Sequence, residues 1–356
     1  MTVRSRSVSA VAALAALAAC AGSDGGGPTA PSGPTRGYRM GFSALPPRND
    51  LSLVVPVIDL WSRRADAAIA HVSVPWAELI AGYEPEVIVE ATQVGLAQLY
   101  TQKGLPLTMV LDVTDGLDRT REAPALVATG HSLTEPAVQL LYRRYVAALV
   151  RRVRPEFLGL AAETNLIRAV GPSGVYPAIV AMTNAAAPDA RAADPSVRLF
   201  VSVQVEVAWG RPGANYVGID TDLADFPFIT ALGLSSYPYL GGFARPEDLP
   251  LDYYRRVPGG RSLPLLVAEG GWPSGSMPGF ASSAEVQGRY LRRQAELAEA
   301  AGVVRVFQLT FTDVDPSLAP DSPNLAFFTT LGLVDTQLQP KTSLAVWDEI
   351  FARARR

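Results

Sequence analysis

Two glutamates carry the strongest chemical signal in this 356-residue chain. Glu163 closes the run FLGLAAET, and Glu269 closes the run LPLLVAEG just before GWPSG. Each follows a short apolar stretch of the kind that forms a buried strand, so each carboxyl is expected at a strand end. Two carboxyls across a cleft can take complementary roles. One stays protonated to help an oxygen leave, and the other stays ionised to attack an anomeric carbon. Other chemistries find little support. His71 falls in a strand and His131 in a loop, so no histidine-rich metal site is expected. No G-x-S-x-G nucleophile elbow occurs. The single cysteine, Cys20, leaves nothing for a disulfide or a zinc site in the body of the chain.

The elements that must position these glutamates are legible from Tyr38 onward. Short apolar runs alternate with longer amphipathic stretches, the rhythm of parallel strands separated by helices. Eight runs qualify as strands: YRMGFSAL, AAIAHVSV, PLTMVLDV, FLGLAAET, RLFVSVQV, ITALGLSS, LPLLVAEG and VRVFQLTF. Between them lie helical segments such as LTEPAVQLLYRRYVAALVRRV and SSAEVQGRYLRRQAELAEAAG. The second has Ser282 or Ser283 to cap it and Gly302 to stop it. Eight strands and their helices fit a (β/α)8 TIM barrel over 37–356. An open doubly wound sheet uses the same alternation, but FSALPPRND stands where its glycine-rich phosphate loop would follow the first strand. In a barrel the active site forms at the carboxyl ends of the strands, and strands four and seven face each other across the mouth.

Further residues could line such a mouth. Glu206 shares a strand face with Ser202 and Gln204 in VSVQVEV, so that stripe is either cleft lining or a buried polar network. Asp112 and Asp115 in VLDVTDG could bind hydroxyl groups, although Asp-Gly at 115 also makes turns. Trp76 and Trp272 follow strands and could stack on a sugar ring, whereas Trp61 and Trp347 sit in helical runs and read as core. Tyr237 and Tyr239 flank Pro238 at the end of strand six.

These segments resemble the large clan of retaining glycosidases built on (β/α)8 barrels with paired glutamates on strands four and seven. GLSSYPYLGGF is similar to the S-x-Y-P-[YF] segment of arabinogalactan endo-β-1,4-galactanases. AEGGWPSG resembles the E-T-G-[WY]-P block that those enzymes share with plant-type β-1,3-glucanases. The resemblance implies Glu269 as nucleophile, Glu163 as acid/base, Tyr237 close to the nucleophile and Trp272 as a sugar platform. It implies a β-linked poly- or oligosaccharide as substrate and no metal or organic cofactor. Two positions depart from the pattern. Ala162 stands where the clan places Asn before the acid/base, with Asn165 two residues beyond it. Phe311 stands at the end of strand eight where the clan often has Trp. A barrel that binds carbohydrate at a surface without efficient turnover is therefore the alternative expectation. Unrelated chemistry at Asp112 and Glu206 is a third.

The first 36 residues read as an address. Residues 1–19 carry Arg4 and Arg6, then VAALAALAA, a run too short and alanine-rich to span a bilayer of the usual thickness. Leu17-Ala18-Ala19-Cys20 matches the bacterial lipobox, which implies diacylation of Cys20 and a lipid anchor in the cell envelope, facing the periplasm or the cell surface. Residues 20–36 are rich in Gly, Ser and Pro and read as a flexible tether. The formal charge is −3, more negative once Arg4 and Arg6 are removed, and no basic cluster points to nucleic acid. Membrane and carbohydrate are the expected partners; oligomeric state leaves no mark on the sequence.

Overall fold

The structure is a computed structural model that describes residues 33–209, 216–256, 262–277 and 279–356. The expected signal segment, Cys20 and most of the expected tether lie outside the described residues. The apolar runs pair in chain order as parallel strands: β1 Arg39–Ser43, β2 Ala67–Ser73, β3 Leu107–Asp112, β4 Phe157–Gly159, β6 Leu232–Ser236, β7 Leu265–Gly270 and β8 Val303–Gln308. The fifth position, β5, has two pieces, Arg198–Phe200 and Ser202–Gln204. The first piece pairs with β4 and the second with β6. Around the break, Ser202 N–H donates to Ala161 O while Gly233 N–H donates to Val201 O, so the one chain segment joins both sides. β8 pairs with β1, and the eight positions form a closed (β/α)8 barrel.

The helices that wrap it include α1 Val54–Trp61, α2 Gly95–Gln102, α3 Pro136–Val153, α4 Thr164–Val170, α5 Val175–Ala193, α6 Ala284–Ala301 and α7 Thr342–Phe351. The caps expected for α6 form: Ser283 Oγ accepts from Val286 N–H, and Gly302 takes a left-handed φ of 64° at the C-terminus. At the base of the barrel Thr35–Arg36 pairs with Ala354–Arg355, tying the two ends of the described chain together. Among the described residues no helix is long and apolar enough to cross a membrane.

Two apolar layers follow from strand alternation. One set of side chains packs between strands and helices, and includes Trp61, Trp76, Trp272 and Trp347, each buried. The other fills the barrel with Ile69, Val110, Phe157, Phe200, Leu266 and Phe307. Phe200 works as a wedge, because a Cβ at Gly159 or at Gly233 would fall within 2.9 Å of its ring. Glycine on both neighbouring strands makes room for one large ring. The barrel floor below is set by Arg305, whose guanidinium lies 4.5 Å over the Phe157 ring and bonds Glu156 and Thr108. Above this plug the same inward-facing positions carry polar side chains.

Candidate active site

The inner face of β2 runs Ala67, Ile69, then His71, so alternation delivers an imidazole to the mouth directly above an apolar plug. On β3 the same rule carries Val110 to Asp112. On β5 it carries Phe200 to Ser202 and Gln204. β7 needs a further device. Leu266 and Ala268 point into the barrel, and strict alternation would turn Glu269 toward the helices. Between β6 and β7 the register slips: Leu234 pairs with Val267 but Ser235 pairs with Glu269, leaving Ala268 as an extra residue. Such a bulge lets consecutive residues share a face and brings Glu269 to the mouth.

Glu163 reaches the mouth by a different route. Its backbone is left-handed, with φ 49° and ψ 47°, a conformation that costs a non-glycine residue on the order of 1 kcal/mol or more. The surroundings impose it: Glu163 N–H donates to Ser202 Oγ at 2.9 Å, and its carbonyl accepts from Leu166 and Ile167 as α4 begins. The turn aims the carboxyl across the barrel toward Glu269.

The two carboxyls line one cleft of about 530 Å³ with His71, Asp112, Arg119, Gln204 and Tyr237. Arg119 is buried, donates through Nε to Glu163 Oε2 at 3.1 Å, and forms a two-armed pair with Asp112. It also donates to Thr114 Oγ1 and Asp115 O. Burial alone would push this guanidinium down, but the flanking carboxylates of Asp112 and Glu163 reverse the balance and hold it protonated.

Burial and neighbouring charges act on both glutamates. Burial raises Glu163, the Arg119 cation pulls it back, and the charge on Glu269 raises it again, leaving it near 7. Burial also raises Glu269, opposed by the hydrogen bond from Ser235, by the Arg119 charge and by hydrogen bonding with Glu163. Ser235 Oγ donates to Glu269 Oε1 at 2.5 Å. His71 Nε2 stands 3.7 Å from Glu269 Oε2. Burial lowers this imidazole to about 4, so it is neutral at neutral pH. Both carboxyls are thus pushed above the ordinary carboxylate range, Glu163 to about 7.

Several residues expected in the cleft lie elsewhere. Trp272 is fully buried in a nest of Tyr239, Phe280 and Tyr290, and its Nε1–H donates to Ser282 Oγ. The G-W-P turn after β7 points it at α6 rather than at a ligand. Trp76 is also fully buried, stacked on Tyr142 in the layer between barrel and helices. Asn165 is buried and works as a clamp: its Nδ2 donates to Gln204 O and its Oδ1 accepts from Gln204 N–H. It holds the top of β5 and does not stand in for the amide missing at Ala162. Glu206 leaves the polar stripe because β5 stops at Gln204 and Val205–Ala208 turns helical. It is buried beside Tyr253, which donates to it at 2.9 Å, and Ser236. Burial raises its carboxyl to about 7. Asp115 organises its own loop, accepting from Leu117 N–H and pairing with Arg121. Phe311 packs on Phe42 in the outer layer, away from the cleft.

Sequence reasoning passed over Arg119, Ser235 and the cleft role of His71. The alternation Ala67–Ile69–His71 was the available signal for the histidine. Ser235 sits one residue from the strand end in GLSSYPY. Arg119 arrives from a loop, and nothing in TDGLDRTRE marks which arginine turns inward. Among the described residues no group of three or more His, Cys, Asp or Glu side chains is placed to hold a metal ion.

The fold is a (β/α)8 barrel with two glutamates at its mouth, Glu163 in the turn after the fourth strand and Glu269 in the seventh. No protein-family model and no curated protein matches the sequence. Among solved structures the chain is similar to an exo-β-1,4-mannosidase from an Opitutaceae bacterium, strain TAV5, with a TM-score of 0.65 at 17% identity, over 89% of this chain and 59% of that one. It is also similar to a β-glucuronidase from an uncultured Clostridium sp., with a TM-score of 0.59 at 14% identity, over 88% of this chain and 50% of that one. A third is a β-D-glucuronidase of Dictyoglomus thermophilum, with a TM-score of 0.59 at 12% identity, over 90% and 51% of the two chains. The chain thus spans little more than half the length of these neighbours, and the likeness is one of fold.

Proposed function

We propose that the chain is a retaining glycoside hydrolase acting on a β-linked sugar. The observation that carries the proposal is the Glu163–Glu269 pair, two carboxyls that reach one cleft from different strands of the barrel. In the first step Glu269 attacks the anomeric carbon while Glu163 gives its proton to the glycosidic oxygen, so the bond to the leaving group breaks as the glycosyl ester forms. In the second step Glu163, now ionised, takes a proton from water, and the water oxygen displaces Glu269 from the same carbon. Ser235 orients the nucleophile, and the raised affinity of Glu163 for its proton suits the acid. Tyr237, buried at the cleft wall, is positioned to border the reacting sugar.

The lipobox at Leu17–Cys20 supports placing this activity on a membrane anchor in the cell envelope. Following the anomer first released from a β-glycoside by proton NMR tests the mechanism: the β anomer is expected, and the α anomer would require inversion.

A second reading, a sugar-binding barrel without turnover, draws on the Arg119 contact with Glu163, which opposes protonation of the acid. Calorimetric binding of a β-glycoside with no product after long incubation would favour that reading over hydrolysis.

A further inference from the structure

Besides its polar floor the cleft has a few polar groups on its walls, Asp118, Thr120 and Asn324. Much of the rest of the wall above the strand ends is aliphatic and aromatic: Leu166 and Val170 from α4, Leu240 from the loop after β6, and Leu318, Phe327 and Phe328 from the loop after β8. Two of these are open to solvent, Val170 at 46% and Phe327 at 39% exposure. An apolar surface of this kind, held at the rim of a charged site, is stabilised when a ligand covers it.

A polysaccharide groove makes different demands. Successive sugar rings need flat aromatic platforms and a supply of free hydrogen-bonding groups along the wall. None of the five tryptophans meets that need. Trp61, Trp76, Trp272 and Trp347 are at most 1% exposed, and Trp209 is buried with its Nε1–H bound to Tyr253 O. The polar wall groups are few, and some are already engaged: Asn324 Nδ2 donates to Leu117 O, and the Asp118 carboxylate accepts from Thr120. The cavity is also of a size that suits one small amphipathic ligand, since pockets for such molecules run from roughly 300 to 1,000 Å³.

We infer that the substrate is a β-glycoside whose leaving group is an apolar aglycone, with one sugar on the carboxylate floor and the aglycone against the wall of α4 and the β8 loop. This rests on the glycosidase reading and replaces the polymeric or oligomeric substrate expected from the sequence. The departing oxygen then belongs to an alcohol or phenol. Glu163 protonates it, and the apolar alcohol leaves through the rim.

The experiment compares hexyl and methyl β-glycosides of glucose, galactose, mannose and glucuronic acid with the corresponding β-linked disaccharides. Turnover is measured on the wild-type chain and binding by calorimetry on Glu269→Gln. Each methylene seated against the wall is worth roughly a fourfold gain in binding, so if about two or three of the added methylenes are seated a hexyl glycoside exceeds its methyl counterpart by roughly 10- to 100-fold in kcat/KM. The double variant Val170→Ser, Phe327→Ser is expected to cut that ratio at least roughly threefold. Hydrolysis of disaccharides or methyl glycosides as fast as hexyl glycosides would overturn the inference and leave the glycosidase reading standing. A hexyl preference in binding with no turnover of any glycoside would retain the apolar wall and overturn the glycosidase reading instead. Neither turnover nor preferential binding would remove both.

Discussion

Ser235 and Glu269 stand on neighbouring strands, and the Ser235 hydroxyl donates to the Glu269 carboxylate at 2.5 Å. The contact exists because the register between β6 and β7 slips by one residue at Ala268, which places the two side chains opposite each other. A fixed hydrogen bond to a carboxylate both aims it and favours its ionised form.

Replacing Ser235 by Ala removes that bond without touching the carboxylate itself. A hydrogen bond to a charged group is worth about 1.5–3 kcal/mol, so kcat is expected to fall roughly 10- to 100-fold. KM should change little. Steady-state kinetics with any turned-over glycoside checks this; an unchanged kcat would mean that Ser235 does not orient the nucleophile.

The pH profile follows from Glu163. The proposed mechanism needs its acid form in the first step, and burial with the Glu269 charge raises its pKa to about 7 despite Arg119. The alkaline limb of kcat/KM should therefore fall near pH 7. Because the Arg119 cation lowers Glu163, Arg119→Gln should move that limb to higher pH. A limb that stays in place or moves down would show that Arg119 does not control the acid.

Glu206 offers a stability test separate from catalysis. Burial raises its folded pKa from the ordinary carboxyl range to about 7. A raised acid favours the native state while protonated, so its contribution is complete below the unfolded pKa of roughly 4.5 and is lost as pH rises through 7. Glu206→Gln should flatten the fall in melting temperature between pH 5 and 8 without abolishing turnover. A variant with wild-type pH dependence would show that Glu206 is not the group responsible.

Trp272 belongs to the core, so its truncation should be read in stability. Trp272→Ala is expected to cost about 3–5 kcal/mol through the cavity left among Tyr239, Phe280 and Tyr290. Denaturant unfolding measures the loss. A normal unfolding midpoint with a raised KM would instead restore the sugar-platform role.

The proposed lipid anchor has its own test. Cys20→Ser should abolish incorporation of labelled palmitate and move the protein from the membrane to the soluble fraction of an envelope preparation. Lipid labelling that persists in the variant would exclude Cys20 as the acceptor.

The barrel was legible because strands buried on both faces are apolar throughout, and eight such runs from YRMGFSAL to VRVFQLTF admit few arrangements. Glu163 and Glu269 were legible because each ends such a run. What the sequence hid were the local turns that redirect side chains. The expected stripe of Ser202, Gln204 and Glu206 breaks because β5 gives way to a helical turn at Val205. Trp272 was expected beside a ligand because it follows a strand, yet the turn after β7 sends it outward into packing with α6. Arg119 reaches the floor from a loop, where no periodicity reports direction. The apolar wall is spread over α4 and two loops, so it exists only once those segments are folded side by side.

The most direct test of the central claim is turnover by Glu269→Gln set against the wild-type chain. The substitution keeps the shape of the side chain and removes the attacking charge. The wild-type chain is expected to hydrolyse a β-glycoside, and kcat in the variant to fall by roughly 10³-fold or more with an unchanged circular dichroism spectrum. Equal turnover by a folded variant would contradict the assignment of Glu269 as the nucleophile and, with it, the double displacement.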